Sequence, residues 1–113
     1  MKIKIKNIEY TLNFGIRFVR ELDKVASVSN NGISLGMALM RTLPALQTYD
    51  PVALCNVIYA AAYDNKPRPT VKDIEDFIDN EVSFENLEKY FDEILKQINE
   101  STATKLVAKN LKA

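Results

Sequence analysis

The chain has 113 residues, balances 15 Lys and Arg against 15 Asp and Glu, and has a sequence pI near 6.3. That length allows one hydrophobic core but not two, and zero formal net charge gives no whole-molecule attraction to nucleic acid or to an anionic membrane. Cys55 is the only cysteine and histidine is absent, so no intramolecular disulfide forms, a reducing cytoplasm is the default, and the usual near-neutral base is missing.

Residues 2–14 alternate. Ile3 and Ile5 face one way and Lys2, Lys4 and Lys6 the other; after Asn7 the pattern resumes as Ile8, Tyr10, Leu12 and Phe14. Period two with β-branched and aromatic residues predicts a β-hairpin that turns at Lys6-Asn7. This start has no continuous apolar run, so it is not a signal peptide. Phe14, Phe18, Leu22 and Val25 then recur at helical spacing and predict a helix over about 14–28. Ser29-Asn30-Asn31-Gly32 is loop chemistry. Ser34 is placed to cap a second helix from Leu35 to about Thr48, with Pro44 as a kink or break.

Asp50-Pro51 marks a third helix start, an Asp cap followed by Pro in the first turn. Residues 52–63 are apolar nearly all round, the mark of a central buried helix. No run reaches the ~20 apolar residues that cross a bilayer. After the proline-rich loop 64–69, Thr70 and Asp73 form a capping box for a fourth helix whose apolar face is Val71, Ile74, Phe77 and Ile78. Ser83 caps a fifth, in which Phe84, Leu87, Phe91, Ile94 and Ile98 form one seam. The polar stretch 101–104 weakens the helical pattern. The sequence therefore predicts a mainly α fold: one domain over residues 1–100, with about five helices and a short hairpin, followed by a short basic amphipathic tail over 101–113.

The chemistry-bearing residues are few. Cys55 lies in an apolar run and reads as an inert buried thiol. Acidic residues crowd into 73–93, and Val82-Ser83-Phe84-Glu85 resembles the end of a calcium loop. The register fails: Phe77 stands where the third position should supply a ligand, Asn80 where glycine is required and Asn86 where the final Glu belongs. These carboxylates read as solvated helix faces, early in their helices where the macrodipole favours them. The three glycines are scattered and make no phosphate loop. No catalytic, metal or cofactor residue is assigned. The candidate partner-binding residues are Lys105, Leu106, Val107, Lys109 and Leu111 in the tail, a small apolar stripe among lysines that would order on a partner. Residues 35–63 also hold more apolar side chains than a small core needs, enough for a groove or a contact between copies.

Taken in order, Tyr10-Thr11-Leu12-Asn13-Phe14 running into Gly15-Ile16-Arg17-Phe18-Val19-Arg20-Glu21-Leu22, the apolar helical middle, Lys66-Pro67-Arg68-Pro69-Thr70 before an acidic helix, and Phe91-Asp92-Glu93-Ile94-Leu95 followed by Ser101-Thr102-Ala103-Thr104-Lys105 make a pattern. It resembles the tail assembly chaperones of long-tailed phages and prophages of Gram-positive bacteria, over almost the whole chain. The resemblance implies a non-enzymatic protein of the host bacterial cytoplasm that needs no cofactor. Its implied partners are the tape measure protein and the tail tube protein, the latter through a longer frameshifted form, and it would be absent from the mature virion. The alternative from another class is a small phage-encoded regulatory or nucleic-acid-binding helical protein. The acidic helices over 71–98 weigh against it, because a recognition helix presents Lys and Arg to phosphates.

Overall fold

The computed structural model describes residues 1–26 and 37–112, with side chains through Lys109. The expected loop at Ser29–Gly32 and the Ser34 cap lie outside these residues. Among the described residues two antiparallel strands, β1 (Lys2–Ile5) and β2 (Ile8–Thr11), precede six helices: α1 (Ile16–Ala26), α2 (Met37–Gln47), α3 (Pro51–Ala61), α4 (Val71–Asp76), α5 (Phe84–Glu100) and α6 (Thr102–Lys112). A π-helical turn, Phe77–Glu81, extends α4. The mainly helical fold with its hairpin is as the sequence predicts.

The hairpin pairs Ile3 with Tyr10 and Ile5 with Ile8. Its two-residue turn puts Lys6 at φ 51° and Asn7 at φ 65°, the left-handed pair that matches strand twist. Asn tolerates this conformation; Lys does so at a steric cost. Three bonds hold Lys6 there. Its backbone N–H donates to Glu81 Oε1 at 2.8 Å, and its Nζ reaches Asp73 at 3.0 Å and Asp76 at 3.3 Å. Ile3, Ile5, Tyr10, Leu12 and Phe14 enter the core, but Ile8 stays exposed. The chain leaving β2 is fixed further by Asn13 N–H donating to the Ala61 carbonyl at 3.0 Å.

The central buried helix is α3, which packs against α1, α2 and α4. Asp50 accepts from the Val52 and Ala53 N–H groups and Pro51 opens the helix, as the sequence predicts. Leu54, Val57, Ile58, Ala60 and Ala61 are fully buried. Pro44 does not break α2, which runs on to Gln47, and the residue lies on the exposed side of the helix. The helix ends in a Schellman motif. Tyr49, at φ 61°, takes the left-handed position, Asp50 N–H donates to the Ala45 carbonyl at 2.9 Å and Tyr49 N–H to Leu46 at 3.1 Å. A tyrosine stands where glycine is usual because its ring meets Phe91 edge-on at 5.2 Å and its hydroxyl lies 3.3 Å from Asp92.

One further expectation needs correction. Phe84 belongs to no buried seam: it is 81% exposed at the first turn of α5, while Phe91, Ile94 and Ile98 are buried and Leu87 is half-buried. The spacing placed Phe84 in the stripe, but the core ends before the N-terminal turn of α5. The polar stretch 101–104, where the helical pattern weakens, is the junction of two helices. Ser101 closes α5 and opens α6, accepting from Thr104 and Lys105 N–H groups at 3.2 and 2.8 Å.

Candidate partner-binding surface

Three residues of the acidic cluster, Asp73, Asp76 and Glu81, serve as fasteners. Asp73 completes the capping box with Thr70. Lys6 donates to Asp73 and Asp76 and Lys72 pairs with Asp76; these hydrogen bonds hold both carboxyls below the usual Asp range. Glu81 holds the hairpin turn through Lys6 N–H. Among the described residues no three His, Cys, Asp or Glu side chains gather as a metal ion requires. No described helix is long and apolar enough to cross a membrane.

The proline-rich loop supplies a second fastener that the sequence does not disclose. The Arg68 guanidinium lies 3.8 Å from the centroid of the Tyr59 ring and donates to the Tyr59 carbonyl from Nε at 3.2 Å and Nη2 at 2.6 Å. Its Nη1 reaches Glu21 at 3.0 Å, and Glu21 also pairs with Lys24. Burial pushes the Glu21 carboxyl up, but Lys24 and Arg68 outweigh it and hold the group below the usual range. One side chain thus joins α1, α3 and the loop ahead of α4.

The candidate tail residues fall on different faces of α6. Thr104 and Ala108 are buried, and Thr104 Oγ1 donates to the Ile98 carbonyl at 2.6 Å. Val107 is half-buried against the core, whereas Lys105, Leu106 and Lys109 are exposed, Leu106 at 69%. The Leu111 side chain lies outside the described residues. The segment is a helix packed on α2 and α5, and the structure divides the expected apolar stripe between core and solvent.

A second surface lies between α3 and α4 with its π-helical turn. It is an open groove of about 630 Å³. Val52, 67% exposed, and Val71, 40% exposed, form its apolar walls with Ile78, and Cys55 lies at its floor. Val71 was expected on the buried face of its helix; it lines this groove instead. Burial pushes the Cys55 thiol up to about 11, and Glu75 and Asp79 add to the shift, so the thiol stays protonated and unreactive at neutral pH. Nothing in the sequence says that Val52, Cys55 and Asn56 face Val71, Glu75, Ile78 and Asp79.

A family model described as phage tail assembly chaperone protein, TAC, matches residues 2–112. The chain belongs to the phage tail assembly chaperone family. No curated protein and no solved structure matches it. In this tail assembly chaperone the match begins at the hairpin and runs through α6.

Proposed function

We propose that the protein is a non-catalytic chaperone that binds the tape measure protein and promotes assembly of the tail tube around it. It acts in the host bacterial cytoplasm and is left out of the mature virion, and it reaches the tail tube protein through a longer frameshifted form. The observation that carries this reading is the family match over residues 2–112. It is supported by the exposed apolar side chains Val52, Phe84 and Leu106, which a chaperone can set against the apolar faces of a client. The test is co-expression with the tape measure protein of the same phage or prophage. The client should become soluble and co-purify. A tape measure protein that stays insoluble, or is equally soluble without the chaperone, sinks the reading. Mass spectrometry of purified particles tests the second part: peptides from this chain at stoichiometric levels would contradict it.

A further inference from the structure

We infer that the groove between α3 and α4 is the docking site for an amphipathic helical segment carrying Lys or Arg along one edge. The inference rests on the reading above for the identity of the partner, and it adds the surface and the chemistry of the segment bound there.

Both walls of the groove are helices. Their backbone groups are used internally, so a partner cannot be held by strand addition and must be held by side chains, the helix-in-groove mode. Apolar side chains and charged ones share the lining. Val52 and Val71 are the kind of exposed branched side chains that an incoming Leu or Phe would cover, and Ile78 lies beside them. The charge on the groove sets the partner's sign. Of the carboxylates that line it, Asp76 is already paired with Lys6 and Lys72. Glu75 and Asp79 are different: among the described residues neither has an ion-pair partner. Both are exposed, and both lie near enough to Cys55 to raise its pKa, which places their charge on the groove side. Two unpaired negative charges beside an apolar floor favour a basic edge and repel an acidic one. The wall that carries Ile78 and Asp79 is the π-helical turn. Such turns are rare and concentrate at functional sites.

The test uses three forms of the full chain: wild type, Glu75→Lys with Asp79→Lys, and a matched reversal away from the groove, Glu85→Lys with Glu88→Lys. All four positions are exposed, so melting temperatures should agree. Each form is co-expressed with the tape measure protein and then titrated with overlapping peptides spanning that protein. The groove reversal should weaken capture at least tenfold and the matched control should not. The peptides that bind wild type should carry Lys or Arg on an amphipathic helix and should weaken with salt. A second variant, Val52→Ser with Val71→Ser, should lose binding without losing the salt dependence of what remains. Equal capture by the groove reversal and the control overturns the inference, as does a bound peptide that is acidic. Self-association that disappears in the groove reversal while client capture persists assigns the groove to a second copy and also overturns it. Failure of wild type to capture the tape measure protein at all is a different result: it removes the proposed function first, and this inference with it.

Discussion

Arg68 shows how much one side chain can carry in a domain of this size. Its planar fork meets the Tyr59 carbonyl with two donors and Glu21 with a third, while its face covers the Tyr59 ring. Lysine keeps the charge but cannot reproduce that geometry. Arg68→Lys should therefore cost about 1.5–3 kcal/mol, the range for hydrogen bonds to a charged group, read as a fall in the chemical-denaturation midpoint with an unchanged slope. Cys55 gives a second expectation. Its thiol should label slowly in the native protein and quickly in denaturant; fast native labelling would show that the groove floor is open. Its linkage to pH has a definite sign. The ordinary thiol value is 9.0 and the folded value is about 11. Between them the unfolded chain has lost its proton and the folded chain has not, so stability falls as pH rises through this window and is independent of this group below it. Thermal melts across that window should fall more steeply for wild type than for Cys55→Ala. Of these residues, the buried thiol could be read from its apolar neighbours. Arg68 could not, because nothing local to a Pro-Arg-Pro loop reveals a partner 47 positions away.

At the scale of elements, capping chemistry was the most legible feature, because it is written in residues within three or four positions of each other. Asp50, Thr70 and Ser83 all cap as their sequences predict. Asp50→Ala should cost about 1 kcal/mol, roughly 4 °C in melting temperature, and Asp50→Asn should recover most of it. Periodicity was a weaker guide at helix ends. Phe84 fits the apolar spacing of α5 yet stands in solvent, since spacing gives a face but not where the neighbouring element stops. The last helix was legible in its amphipathic composition but not in its packing. Ser101 and Thr104 look like breakers, but Ser101 Oγ donates to the Phe14 carbonyl and Thr104 is buried. Removing residues beyond Asn99 should therefore lower the melting temperature by well over the few degrees of a lost cap. Leu106→Ser, on the exposed side, should change stability by about 0.5 kcal/mol or less. A truncation as stable as the full chain would show that α6 contributes nothing to the body.

Over the whole molecule, charge does its work locally rather than in the net. The sum is zero, but Lys6 at the hairpin turn is clamped between Asp73 and Asp76, some seventy positions away. Both carboxyls are depressed in the folded state, so the stability they confer is complete above the ordinary Asp value and is lost as pH falls through the folded values. Acid titration of wild type should show this loss beginning below about pH 4, the ordinary carboxylate range, and Lys6→Ala should flatten the curve. The class of fold followed from local patterns, which is why hairpin and helices were legible. Which helix faces meet is a property of long-range packing. The groove between α3 and α4 therefore had no linear signature beyond an excess of apolar residues.

The same N-terminal strands are tied at several distant points. Asn13 bonds to Ala61, Lys6 to residues 73–81, and the Phe14 carbonyl to Ser101. A ribosome making this protein releases the hairpin before any of these anchors. At 5–20 residues per second, the apolar face of Ile3, Ile5, Tyr10 and Leu12 waits about 5–20 s for the final anchor. During that interval the nascent chaperone is itself a client, open to trigger-type holdases and to proteases. Ribosome-stalled chains ending before Ser101 should be cleaved near the hairpin by dilute protease, and chains with α6 fully emerged should resist.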